Sequence, residues 1–323
     1  MKYLKFIVTS FILLVFFISC NKENKLLIDT SKIDVKFNVI RFDQLFYKTT
    51  PKTLYKIKSD FPYLFPVQEQ DSVWLDKLKN PDFKYLYEKT QKVFPDFKKQ
   101  TAQLVKLFKH VKYYYPKFKA PKVITLISEL DLSHQVIYAD SLLLISLDTY
   151  LGRNSKFYEG YPKYLSATYD KRFLLADVAK AISLKSVPKQ DSRSFISSCI
   201  QQGKLLYQSK AFVPTLSDSI LLKYTKKQLN WAKANEEFVW EYFIANKLIF
   251  NKDKNLLNRF IYQAPFSKFY LDIDRNSPGS IGVYIGYEIV KSFIKNNKIG
   301  LKGMLAIPNE ILFKKSKYKP RNQ

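Results

Sequence analysis

The amino-acid sequence predicts an α+β fold, predominantly helical with one small antiparallel sheet. Three observations predict it. From Thr53 to Tyr115 and again after Lys171 the apolar residues fall at helical spacing, as in QLVKLFKHVKYYY, where Leu104, Leu107, His110, Val111 and Tyr114 share a face. Two regions break that period, KIDVKFNVIRF and the stretch from Lys122 to Asp148, and both read as strands. The composition is globular: 46% of the 323 residues are hydrophobic, 16% aromatic and only 8 are glycine, enough for one large domain or two modest ones.

The elements follow in order. Met1 to Phe6 carry Lys2 and Lys5, and FIVTSFILLVFFIS then runs uncharged to Cys20. A basic start, a short apolar core and a small residue before the break make a secretory signal, too short for the roughly 20 apolar residues of a spanning helix. Ser19-Cys20 forms the small-residue-plus-cysteine pair of a bacterial lipobox, with Phe17 where Leu is usual. On this reading residues 1–19 are the signal and Cys20 becomes the lipid-bearing first residue. Residues 20–31 are then the lipidated terminus and tether, and 32–323 one α+β domain with a candidate subdivision near 120. An uncleaved anchor helix and an ordinary cleaved signal are the competing readings.

In KIDVKFNVIRF, Ile33, Val35, Phe37 and Val39 share one parity, the mark of a half-buried strand. Thr53 to Tyr115 is helical, punctuated by Pro62, Pro66, Pro81, Pro95 and Pro116. VITLIS, QVIYA and SLLLISLD then read as an antiparallel meander. A Tyr-rich loop, KFYEGYPKYL, leads into helices over about 171–184, 192–208, 223–234, 236–250 and 255–262, and a last one from Ile281 to about Asn296. The strands argue against an α-solenoid.

The formal charge is +26, from 54 Lys+Arg against 28 Asp+Glu. Arginine, the favoured base reader, occurs only at Arg41, Arg153, Arg172, Arg193, Arg259, Arg275 and Arg321. The rest is dispersed lysine, so no nucleic-acid partner is expected; an acidic partner or an anionic lipid surface is compatible with it. Cys199, within SFISSCI, reads as a buried thiol, and with Cys20 lipidated no internal disulfide forms.

A small sheet, a Tyr-rich loop and then an amphipathic helix is the order found around the metal helix of zincins. There H-E-x-x-H sets two histidines on one face to hold zinc, with the glutamate as general base. Here the helix reads ADVAK: Ala176 and Lys180 stand at the ligand positions and Asp177 at the base position. Alanine has no lone pair, and an ammonium repels a divalent cation. The two histidines, His110 and His134, lie far apart in sequence without ligand spacing. No G-x-S-x-G elbow or Walker loop occurs. Pairs such as Asp272 and Asp274, or Glu236 and Glu237, read as surface or salt-bridged carboxylates. The expectation is a degenerate zincin-like core with no metal, no cofactor and no enzymatic activity.

One segment differs from the rest. In PFSKFYLDIDRNSPGSIGVYIGYEIV, Gly279, Gly282 and Gly286 lie close together. Asn276-Ser277-Pro278-Gly279 signals a turn, Ser280 is placed to cap the following helix, and Tyr284 and Tyr287 flank the glycine stripe. Glycine inside a helix costs ~1 kcal/mol against alanine, so a close approach should compensate. Either another helix packs there, or the stripe is a docking groove with Asp274 and Arg275 at its rim.

The lipobox, LLISLDTYLGRNSKFYEGYPKYL, EEFVWEYFIANKLIF, PFSKFYLDIDRNSPGSIGVYIGYEIVKSF and the tail ILFKKSKYKP together resemble the gliding-motility lipoprotein GldB family of gliding Bacteroidota. The resemblance spans nearly the whole mature chain. It implies an envelope lipoprotein needed for movement over surfaces, in a machinery linked to type IX secretion, with other envelope gliding and secretion proteins as partners. The family is distantly similar to predicted zinc peptidases whose H-E-x-x-H it lacks, and it supplies no catalytic residues. The expected location is the periplasmic face of the outer membrane. A peptide- or glycan-binding lipoprotein using the vestigial cleft around Tyr284 and Tyr287 is the alternative, and a metallopeptidase with an unusual site a third.

Overall fold

A computed structural model describes residues 26–190 and 193–321. The signal segment, Cys20 and the first residues of the tether lie outside the described residues. In chain order the strands are β1 (Val39–Arg41), β2 (Lys122–Leu126), β3 (Val136–Ala139) and β4 (Leu142–Ser146). The helices of the first half are α1 (Phe42–Tyr47), α2 (Leu54–Asp60), α3 (Asp71–Lys79), α4 (Pro81–Val93) and α5 (Lys98–Tyr114). After the sheet come α6 (Lys163–Ser166), α7 (Leu174–Ser186), α8 (Phe195–Phe212), α9 (Asp218–Leu221), α10 (Lys226–Ala234), α11 (Glu236–Ala245) and α12 (Asn255–Phe260). The last three are α13 (Ile281–Asn296), α14 (Leu301–Ala306) and α15 (Asn309–Ser316).

The fold is α+β, helical with a four-stranded sheet of order β1-β2-β4-β3. The sheet is mixed, which corrects the antiparallel meander. β1 and β4 both run parallel to β2, and only β3 pairs antiparallel, with β4. The reason is burial on both sides. Ile124, Leu142 and Leu144 meet a cluster built on α1 and α2, whereas Val123, Leu143 and Ile145 meet α5 and α7. A strand covered on two faces reads as a continuous apolar run, so its sequence cannot reveal which neighbour it takes. β3 and β4 join through a two-residue turn in which Asp140 is left-handed at φ 51°.

Of the alternating stretch Ile33 to Val39, only its end enters the sheet; Val35 and Phe37 pack beside the α5 core without strand pairing. The prolines punctuate as expected. Pro81 opens α4, where the Asn80 side chain accepts from the Asp82 amide at 2.8 Å.

The second half is built round α8, buried along most of its length and laid against α13. Between sheet and helical half stands α7. Its Leu174, Val178, Ala179 and Ile182 join the sheet-side core, which leaves Ala176, Asp177 and Lys180 along another edge. Among the described residues, no helix is long and apolar enough to cross a membrane.

Candidate functional site

That edge of α7 walls a recess of about 120 Å³, with Ala176, Asp177 and Lys180 all in its lining. The other walls come from α8, from the turn after α9 (Leu221 to Tyr224) and from Ile261, Gln263, Ser280 and Val283. A cleft of about 430 Å³ adjoins it, sharing Leu222, Lys223, Tyr224, Gln263 and Ser280 and adding Arg153, Arg172 and Lys226.

Asp177 is fully engaged. Its carboxylate accepts the Tyr150 hydroxyl at 3.0 Å and pairs with the Lys223 ammonium at 2.7 Å. The Tyr150 phenol is held well above its ordinary pKa, chiefly by burial and then by Asp177. Lys223 follows α9 in the left-handed region at φ 56°, a conformation costing a non-glycine residue on the order of 1 kcal/mol or more. The ion pair to Asp177 gives a reason for lysine there instead of glycine. Lys180 keeps surface open to solvent but stands in a recess ringed by protein. Lost hydration pulls its pKa below the usual lysine value, the neighbouring Lys223 ammonium adds to this, and Asp177 opposes it.

This donor set does not fit a divalent cation. Ala176 offers nothing, Asp177 already balances Lys223, and Lys180 carries charge of the wrong sign. Among the described residues, no cluster of three His, Cys, Asp or Glu side chains could hold a metal. His110 is tied to the Lys106 carbonyl and His134 to Asp131. The Cys199 thiol is buried, and burial raises its pKa.

The glycine-rich segment is distributed over three places. Asp274 and Arg275 lie on a surface concavity with Phe266, Tyr270, Leu271 and Asp272, and the Asp274 carboxylate accepts the Phe269 and Tyr270 amides at 2.8 and 3.0 Å. Pro278 and Gly279 are buried, and Gly279 lines the basic cleft, its carbonyl accepting the Tyr224 hydroxyl at 2.8 Å. A Cβ on Gly279 would come within 2.0 Å of the Ala264 carbonyl oxygen. Gly286 faces α8 and Gly282 meets Phe260 and Ile261 at the end of α12 as well as Cys199 of α8, so the stripe is filled by helices and does not form an open groove. A Cβ on Gly286 would lie 1.9 Å from the Cys199 carbonyl oxygen, and one on Gly203 would lie 2.2 Å from that of Gly286. Ser280 does not cap α13 with its side chain: its hydroxyl donates to the Tyr262 carbonyl, and the Ile281 amide is met by the Ser267 hydroxyl.

Tyr284 and Tyr287 are buried, which corrects the expectation of a binding cleft around them, and they serve a different polar cluster. Tyr284 donates to Glu236 at 2.7 Å and Tyr287 to Asp218 at 3.4 Å. Glu236 also accepts the Tyr318 hydroxyl, Glu288 pairs with Lys291 and Arg321, and Asp218 pairs with Lys210. Three carboxylates and three cations balance here, and they clasp the C-terminal tail onto α11 and α13. Burial, followed by these carboxylates, raises the pKa of all three tyrosines.

Sequence reasoning placed Ala176, Asp177 and Lys180 on one helix but missed their partners, Tyr150, Lys223 and the rim cations. The run Leu222 to Lys226, basic and aromatic in a turn, was the available signal. It also missed Glu236 as a buried anchor. No curated protein and no solved structure matches the chain. The family model described as gliding motility protein GldB matches residues 23–320, nearly all of the described fold, and the chain therefore belongs to that family.

Proposed function

We propose that the protein is a non-enzymatic envelope lipoprotein that supports gliding motility as a protein-interaction component of the motility and type IX secretion machinery. It is anchored through lipid on Cys20 and faces the periplasm from the outer membrane. Family membership supports the motility role. The non-enzymatic part rests on one observation: the helix that would carry a zincin-like site presents an alanine, an aspartate already paired with Lys223, and a lysine. Several acyl chains, at ~0.8 kcal/mol per buried methylene, would hold the soluble body firmly at the membrane.

Deleting the gene should abolish cell spreading, and complementation with Cys20→Ala should not restore it while leaving an unlipidated precursor. Wild-type gliding of the deletion strain removes the motility role. Labelled palmitate entering the Cys20→Ala protein shows that another residue is acylated. Stoichiometric zinc in the purified protein, with an activity lost on chelation, replaces this reading by the metallopeptidase. A second reading is supported by the cavity on α7: the vestigial cleft binds a ligand, peptide or glycan, presented by a partner.

A further inference from the structure

We infer that the recess and its adjoining cleft bind the C-terminal end of an acidic peptide, the last apolar side chain in the recess and the terminal carboxylate on Lys180. This deepens the ligand-binding reading above and rests on it.

Charge comes first. The two cavities are lined by Lys180, Lys223, Arg153, Arg172 and Lys226 against one carboxylate, Asp177. Asp177 is matched by Lys223, and Arg172 lies 3.8 Å from Asp170. Among the described residues, Lys180, Arg153 and Lys226 have no carboxylate at ion-pair distance. The cleft over α13 and the tail, by contrast, sets three carboxylates, Asp218, Glu236 and Glu288, among its cations. A positive excess in a concave site of low dielectric attracts anions. An anion on Lys180 would also restore interactions that its ammonium loses by leaving water.

Shape selects among anions. The recess is walled by Leu205, Leu206, Leu221, Leu222, Ile261 and Val283. Its 120 Å³ compares with ~30 Å³ per water and with the ~150 Å³ cavity that accepts benzene. A branched aliphatic side chain fits that space. A long acyl chain does not, and a sugar would leave its hydroxyls unpaired against the apolar wall. Gln202 and Gln263 also line the recess, and neither amide has a protein hydrogen bond among the described residues; each can pair with a peptide backbone. The outer 430 Å³, with Arg153 and Lys226, then takes the preceding acidic residues.

The test is fluorescence anisotropy with the full chain in detergent and a fluorescein-labelled hexapeptide, Glu-Asp-Glu-Ser-Gly-Leu, with a free carboxyl terminus. Saturable binding is expected. Amidating the terminus should weaken it about tenfold or more, as should Lys180→Gln, the size expected for a lost hydrogen bond to a charged group. Lys226→Gln should weaken it less, and Lys52→Gln, which lines neither cavity, should leave it unchanged. Should Lys180→Gln fail to fold, as judged by its melting temperature, the amidated probe and Lys226→Gln carry the test. Equal affinity for the amidated peptide overturns the carboxylate assignment while leaving a peptide-binding cleft. No saturable binding of either peptide overturns both. Neither result touches the motility role, which the deletion strain tests separately.

Discussion

Lys204 lies wholly buried with no acid beside it. Its ammonium donates to the carbonyls of Leu305 and Ile307, at 3.3 and 2.5 Å, at the end of α14. There it meets the negative end of a short helix, a favourable but incomplete substitute for water. Burial accordingly pulls its pKa down to about 8. The unfolded chain holds this proton up to the ordinary lysine value near 10.4, so above about pH 8 the unfolded state binds more protons than the native one. Stability from this group therefore rises with pH from about 8 and levels off near 10.4. Cys199 and the buried tyrosines, whose pKa values are raised, act in the opposite direction at alkaline pH. The wild type must for that reason be compared with Lys204→Met at each pH. In urea unfolding, the wild type should gain on Lys204→Met by on the order of 1–2 kcal/mol between pH 7.5 and 9.5. A constant difference across that range would mean that Lys204 stays charged in the native protein, with its proton held as firmly as in the unfolded chain. At the same scale, the ADVAK pentad shows what one residue can settle: Lys180 alone sets a positive charge in the wall of the recess, and that residue was legible in the sequence. Its surroundings were not, because Tyr150 and Lys223 lie far from it along the chain and reach it only through the fold.

Among the elements, the α8–α13 pair governs the helical half. Gly203 and Gly286 let each backbone approach the other's carbonyls, with Cys199 inside the contact. Gly286→Ala gains ~1 kcal/mol of helix propensity. Its Cβ, however, would sit 1.9 Å from a backbone oxygen that cannot swing away, and overpacking costs typically 1–3 kcal/mol and occasionally more. A contact that short belongs at the upper end of that range, so the net result should be a loss of roughly 2 kcal/mol or more, read as a lower urea midpoint at unchanged slope. An unchanged midpoint would show that the helices can separate at no cost. The glycines announced a close approach in the sequence; the approaching helix did not announce itself, since Gly203 is an isolated glycine between Gln202 and Lys204. Helix existence was similarly legible. The α13 span of Ile281–Asn296 follows directly from its apolar period. The four-residue α9 and six-residue α14 carry too few turns to show a period. Strand pairing failed for a related reason: β2 and β4 have no polar face to fix an order, and their parallel partnership is set by the helices that cover them.

With Cys20 lipidated as proposed, the whole molecule would have an orientation that its first described residue helps to fix. Leu26 is buried in the helical core and lines the cleft that also contains Tyr207, Tyr287, Ile294 and Lys295. It lies six residues beyond Cys20, a span of at most ~20–22 Å for an extended chain. With Cys20 lipidated as proposed, the face carrying Leu26 and Lys295 must stay close to the bilayer. The α1–α3 layer lies on the far side of the sheet, in a core cluster that shares no buried residue with the one holding Leu26. Lys291, Lys295, Lys319 and Arg321 surround the Leu26 seat, so anionic headgroups would reinforce the same orientation. Single-site labelling can test this, because Cys199 is buried and Cys20 would be acylated. A fluorophore on Lys295→Cys in nanodiscs containing spin-labelled lipid should be quenched more strongly than one on Lys56→Cys in α2. Raising the salt should reduce the difference but not remove it, because the lipid tether is indifferent to screening. Equal quenching at the two positions would mean that the body tumbles freely on its anchor, and that Leu26 is not seated in the anchored protein.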